Sequence, residues 1–209
     1  MTKKTALVLG GTGLVGHELI KLLLADSRYD RIICLVRRPI DDVPMENERI
    51  LQIVTDFDHE SQPFFAHDRY FSYDHIYVCL GTTLKKAGSI DGFRRVDFDL
   101  IYRAALMAQT SYAQSFVWIS SVGADMNSKN LYLRVKGQLE KSIFDLENFN
   151  AYTVRPSLLL GERQETRRAE SLAIKLCTFL SPLMVGRLRK YRPVEATEVA
   201  RQMIALQHF

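Results

Sequence analysis

Residues 6–23 read "ALVLGGTGLVGHELIKLL", and the fold is decided by how that stretch is parsed. The opening run, Ala6–Leu9, is apolar at every position, the pattern of a strand covered on both faces. It breaks at Gly10, after which Leu14, Leu19, Leu22 and Leu23 recur at the spacing of one helix face. Between strand and helix, Gly10, Gly13 and Gly16 make a G-x-x-G-x-x-G turn. One glycine lets the chain leave the strand sharply, a second lets backbone approach a pyrophosphate, and a third lets helix and sheet pack closely. The helix N-terminus then offers free N–H groups and a partial positive charge to phosphate. A glycine-rich turn by itself is weak evidence; set between an N-terminal strand and an amphipathic helix, it predicts dinucleotide binding.

Outward from this unit, apolar runs return at intervals: "IICLV" (32–36), "ILQIV" (50–54), "IYVCLG" (76–81), "FVWIS" (116–120) and "YTVRP" (152–156). Helical stripes lie between them, one through Phe93, Ile101, Ala104 and Ala108, another through Val135, Leu139, Ile143 and Leu146. Strands alternating with helices predict an α/β fold, a Rossmann-type doubly wound parallel sheet in three α/β/α layers. The polar, aromatic stretch 57–74 has room for a short helix only. No repeat, low-complexity tract or linker interrupts the chain. The expectation is one domain over 1–209, with a small substrate-side lobe from about 157 to 209.

Composition sets the remaining bounds. The 209 residues are 47% hydrophobic and 25% charged, enough for a substantial core. Cys34, Cys79 and Cys177 are far apart and form no C-x-x-C, which points to reduced thiols in a reducing compartment and against a disulfide framework or zinc site. No signal peptide opens the sequence, and "LAIKLCTFLSPLMV" (172–185) is too short and interrupted to cross a bilayer. A cytoplasmic location is expected. The net charge of +4 is spread over scattered basic pairs rather than a stripe, which argues against nucleic acid.

One basic pair stands apart. The second strand ends in "CLVRRP", placing Arg37 and Arg38 where an NAD-binding chain puts an acid on the ribose 2′-hydroxyl. Two guanidinium groups suit a 2′-phosphate, so NADP(H) is the expected cofactor; the competing reading is two exposed arginines at a strand end. In "TDF" (55–57), Asp56 is placed to meet the adenine amino group and Phe57 to flank the ring, although a strand-end Asp is also a routine turn residue. Tyr132 and Lys136, in "LYLRVKG" (131–137), are four apart on a helical stretch. Spacing alone cannot separate a proton-transfer pair from an ordinary helix face, and as a motif common by chance it favours the plainer reading.

Together these residues resemble a family. The glycine turn, "CLGTT" (79–83), "ISS" (119–121), "YLRVK" (132–136) and "RPS" (155–157) look like the short-chain dehydrogenase/reductase superfamily. Within it, "CLGTTLKKAGSIDGFRRVD" (79–97), "SSVGAD" (120–125) and "RPSLLLGERQETR" (155–167) are similar to the atypical branch of the Tat-interacting protein family and its bacterial relatives. The resemblance implies that Gly10, Thr12, Gly13, Leu14, Val15 and Gly16 cradle the pyrophosphate and that Arg37 and Arg38 take the 2′-phosphate. It puts Leu80, Gly81, Thr82 and Thr83 along the adenosine ribose, and Pro156 and Ser157 beside the nicotinamide carboxamide. Tyr132 and Lys136 match the catalytic pair, with Lys136 also reaching the nicotinamide ribose. The sequence departs at Val122, where extended members carry a third Ser or Thr, so Ser121 or Ser120 supplies the hydroxyl, with Ser121 favoured.

The chemistry expected is reduction of a small, partly apolar carbonyl compound. Tyr132 donates the proton, Lys136 stabilises the phenolate left behind, and Ser121 holds the substrate oxygen. "GERQETR" (161–167) is a candidate wall of the substrate pocket and 172–185 a candidate lid, against a solvated loop and a packing surface as the plainer readings. A non-catalytic, NADPH-responsive protein read by a protein partner is the alternative, and a homodimer is left open.

Overall fold

The computed structural model describes residues 3–57, 65–157, 159–160 and 192–207. Six parallel strands make the main sheet: β1 (Lys4–Leu9), β2 (Tyr29–Val36), β3 (Ile50–Val54), β4 (His75–Val78), β5 (Ser115–Ile119) and β6 (Ala151–Val154), in the spatial order 3-2-1-4-5-6. The order reverses between β1 and β4, the switch point at which ligands bind in open α/β sheets. The helices are α1 (Leu14–Ala25), α2 (Leu84–Ala87), α3 (Ile90–Arg94), α4 (Leu100–Thr110), α5 (Leu131–Phe144) and α6 (Ala196–Ala205). A 3-10 helix spans Phe65–Ser72, and a π-helical turn, Arg95–Asp99, joins α3 to α4. A two-stranded parallel ribbon pairs β7 (Leu159–Leu160) with β8 (Val194–Glu195).

The continuous apolar runs are explained by burial on both faces. Ala6, Val8, Ile32, Cys34, Val36, Tyr77 and Val117 face one core layer with α1 and α6. Their neighbours Leu7, Leu9, Ile33, Leu35, Ile76, Val78, Phe116 and Trp118 face a second layer with α4 and α5. Side chains alternate between two apolar layers, so neither face needs polar residues. Within the stretch expected to form a lobe, α6 packs on α1 through Val199, Ala200 and Met203, all at 0% exposure. "GERQETR" (161–167), the 172–185 segment and Cys177 lie outside the described residues.

Two expected elements take a different form. The run 76–81 is strand only to Val78, and Cys79–Gly81 follow as irregular chain against the glycine turn. The single helix expected through Phe93–Ala108 is interrupted at Arg95–Asp99, where the π turn adds a residue to the helical repeat.

Candidate active site

Because the main-sheet strands are all parallel, the segments after each one meet at a single edge. β1 ends at Leu9, and Gly10 turns with φ +84. A Cβ there would lie 2.7 Å from the carbonyl carbon and oxygen of Cys79, so only glycine fits. The Gly13 N–H donates to the Gly10 carbonyl at 3.0 Å, and a Cβ on Gly16 would sit 2.3 Å from that same oxygen. α1 therefore rises directly out of the turn. Its N-cap residue, Gly13, has no side chain to cap the first-turn amides, and among the described residues the N–H groups of Leu14, Val15 and Gly16 stand as helix N-terminal donors. Thr12 and Gly13 are exposed at the turn, whereas the Val15 side chain is buried in the core.

Arg37 and Arg38 follow β2 at this edge; both are exposed, and among the described residues neither has an acidic partner. Asp56 is exposed just after β3. Phe57, expected to flank an adenine, is buried at 7% exposure in the second core layer. After β4, Leu80, Thr82 and Thr83 are half-buried and Gly81 is exposed. The Thr83 hydroxyl oxygen accepts the Lys86 N–H at 3.2 Å and so caps α2. Pro156 is buried beyond β6, its carbonyl accepting the Val122 N–H at 3.0 Å, and the Ser157 hydroxyl donates to the Arg192 carbonyl.

The two serines follow β5. Ser120 is 3% exposed, and among the described residues its hydroxyl has no hydrogen-bond partner. Ser121 is half-buried, with a long 3.4 Å contact to the Val122 carbonyl. Tyr132 is the second residue of α5, whose N-terminus is capped by Asn130 accepting the Leu133 N–H at 3.2 Å. Its half-buried ring lies 5.8 Å from that of Phe93. Gly137 lets the loop after Ser121 lie directly on α5, since a Cβ there would meet the Asp125 carbonyl carbon and the Met126 nitrogen at 2.3 Å.

One turn along α5 from Tyr132, Lys136 is buried with its ammonium 2.9 Å from Asp97 Oδ1 and 3.4 Å from the Ile119 carbonyl. Asp97 Oδ2 accepts the Thr82 N–H at 2.7 Å. One carboxylate thus joins the loop after β4, the π turn and α5. Asp97 was not among the expected site residues. Its signal was nonetheless present: it lies four residues from both Phe93 and Ile101, on the stripe that otherwise buries apolar side chains. A charged residue is rarely left there without a partner. Burial also pushes the Cys34 thiol up to about 12 and raises that of the half-buried Cys79, which disfavours the thiolate at both.

The sequence profile of the NAD dependent epimerase/dehydratase family matches residues 6–205. Protein HTATIP2 of Rattus norvegicus is 36% identical over 178 residues, covering 84% of this chain and 71% of its own. The mitochondrial protein FMP52-1 of Scheffersomyces stipitis is 33% identical over 163 residues, covering 78% and 70%. In fold, the chain is similar to the Bordetella bronchiseptica enzyme WbmH in complex with NAD+, with a TM-score of 0.67 at 12% identity over 98% of this chain and 72% of that one.

Proposed function

We propose, from the premise that this chain belongs to the NAD dependent epimerase/dehydratase family, that it is an NADPH-binding oxidoreductase of the short-chain dehydrogenase/reductase type acting on a small, partly apolar carbonyl compound. The observation that carries this reading is one shared sheet edge: the turn with Gly10, Gly13 and Gly16 follows β1, Ser121 follows β5, and Tyr132 and Lys136 lie in the first turns of α5.

The glycine cradle is a space that any Cβ would fill, and it suits a pyrophosphate held by the first-turn amides of α1. Arg37 and Arg38, exposed and without acidic partners among the described residues, suit the 2′-phosphate. Asp56 would meet the adenine, with Phe57 supporting that wall from within the core. Leu80, Gly81, Thr82 and Thr83 would flank the adenosine ribose, and Pro156 and Ser157 the carboxamide. When bound, NADPH supplies the hydride. Tyr132 donates a proton to the carbonyl oxygen, and the Lys136 ammonium stabilises the phenolate that remains. Asp97 fixes that ammonium in place. Ser121, half-buried where Ser120 is enclosed, is assigned the contact to the substrate oxygen.

The chain is taken as one functional unit. Its cysteines Cys34 and Cys79 are free thiols, which suits a reducing compartment such as the cytoplasm. A mitochondrial matrix is also reducing, so the names of the yeast relatives fit the same chemistry.

The test is NADPH oxidation by purified protein with aldehydes and ketones of graded size. Turnover is expected with at least one of them, and Tyr132→Phe should abolish it while leaving 2′,5′-ADP binding intact. Undiminished turnover in that variant overturns the role of Tyr132. Tight NADPH binding with no turnover across the panel favours an NADPH-responsive binding protein instead.

A further inference from the structure

We propose that Gln52, a buried side chain on β3, is a specificity-positioning residue. It sets the turn that presents Arg37 and Arg38, and through it the preference for a nucleotide bearing a 2′-phosphate over one without it. The inference rests on the NADPH reading above.

Gln52 is 3% exposed on a strand that is otherwise mainly aliphatic, so its amide must be satisfied by protein groups. Those groups all belong to the turn after the arginines. Gln52 Oε1 accepts the Ile40 N–H at 2.8 Å. Its Nε2 donates to the carbonyls of Val43 at 2.7 Å and Pro44 at 3.0 Å, and lies 3.4 Å from that of Ile40. One amide therefore ties both ends of the turn 40–44 to the sheet, using donors and acceptor together as no aliphatic residue could.

The same turn is held from the opposite side. His17 Nε2 of α1 lies 2.6 Å from Asp42 Oδ1, and Lys21 Nζ lies 3.8 Å from Asp42 Oδ2. Ile40 and Val43 are each 6% exposed in the core layer shared with α1. At the other end, the Val36 carbonyl accepts the Thr55 N–H at 2.8 Å, fixing the end of β2. Arg37, Arg38 and Pro39 are exposed between these two anchorages. Two adjacent guanidinium groups repel one another, and an unanchored turn would let them separate. A backbone fixed at both ends spares phosphate binding part of the ordering entropy it otherwise costs.

Calorimetry with 2′,5′-ADP and 5′-AMP tests this on the full chain, because the two probes differ only at the 2′-phosphate. Unaltered protein must bind 2′,5′-ADP more tightly; if it does not, the NADPH reading itself falls. With that preference in hand, Gln52→Met and Gln52→Glu should each weaken 2′,5′-ADP by about tenfold, while 5′-AMP changes less than about twofold. Equal losses for both probes, or no loss, overturn the positioning role and leave the NADPH reading standing. Should neither variant fold, hydrogen exchange on unaltered protein decides. 2′,5′-ADP should slow exchange of the Ile40 amide more than 5′-AMP does, and equal protection by the two overturns the inference.

Discussion

The Lys136 ammonium lies 2.9 Å from Asp97 Oδ1, with the two side chains 3% and 1% exposed. The two form a buried ion pair, so removing one partner leaves a charge in the core without its counter-ion. Asp97→Ala should therefore cost about 3–5 kcal/mol of stability. Adding Lys136→Met should restore part of that loss, because an apolar pair in the same volume carries no desolvation penalty. Urea unfolding of both singles and the double measures the coupling. Strictly additive losses would mean that the pair contributes nothing as a pair.

Gly137 is a contact point between α5 and the loop after Ser121. Its missing Cβ leaves room for Asp125 and Met126, whose backbone it would otherwise meet at 2.3 Å. Gly137→Ala should cost about 1–3 kcal/mol by overpacking, and it should displace Ser121 relative to Tyr132. Turnover should fall further than 2′,5′-ADP binding, which kinetics and calorimetry on the same preparation can separate.

Arg49 reaches back to the C-terminus of α1. Its guanidinium donates to the carbonyls of Leu23, Leu24, Asp26 and Tyr29, the last two at 2.9 and 2.8 Å. Those of Leu23 and Leu24 lie in the last turn of α1, where carbonyls lack the next turn's N–H groups, and a cation there interacts favourably with the helix dipole. Arg49→Ala should lower stability by about 1–3 kcal/mol. Arg49→Lys should recover a minority of the loss, since one ammonium cannot span four acceptors.

Glu18 ties α1 to α6 through the Thr197 hydroxyl, which donates to Glu18 Oε2 at 2.9 Å. That hydrogen bond, outweighing the opposing effect of burial and aided by Lys21, holds the Glu18 carboxyl below its ordinary value of 4.5. A carboxyl more acidic in the folded than in the unfolded chain stabilises the fold above the unfolded value. The contribution is lost as pH falls through the lower folded value. Thr197→Val should flatten the acid limb of stability against pH below about 4.5 while changing its shape little near neutrality. Urea midpoints measured across that range check it, and an unchanged acid limb would refute the link.

The strands were the most legible part of the chain. "ILQIV" was expected as a strand and is β3 at Ile50–Val54, because a buried parallel strand shows its apolar character at nearly every position. Ends were less legible. β4 stops at Val78, not Gly81, because Cys79 must curve away to meet the glycine turn, a contact that β4's own residues do not encode. The stripe through Phe93 and Ile101 was read correctly as helical, but the π turn between them changes the register without changing which residues are apolar. At the candidate site, residue types and strand-end positions were readable: Gly10, Arg37, Ser121 and Tyr132 all lie after a strand or at the start of a helix on the same edge. Gln52 looked like one polar residue in a strand, since its partners at Ile40, Val43 and Pro44 are joined to it only across the turn.

By itself, then, the sequence determined the α/β class, the glycine turn and the identity of the residues at the carboxyl edge. Those features depend on local chemistry: burial period, positive φ and charge at a strand end. The tertiary structure alone decided that Lys136 pairs with Asp97 and that one amide on β3 fastens the turn that follows the two arginines. Pairings of that kind join residues far apart in the chain, and no periodicity records which distant group a buried charge or amide will meet.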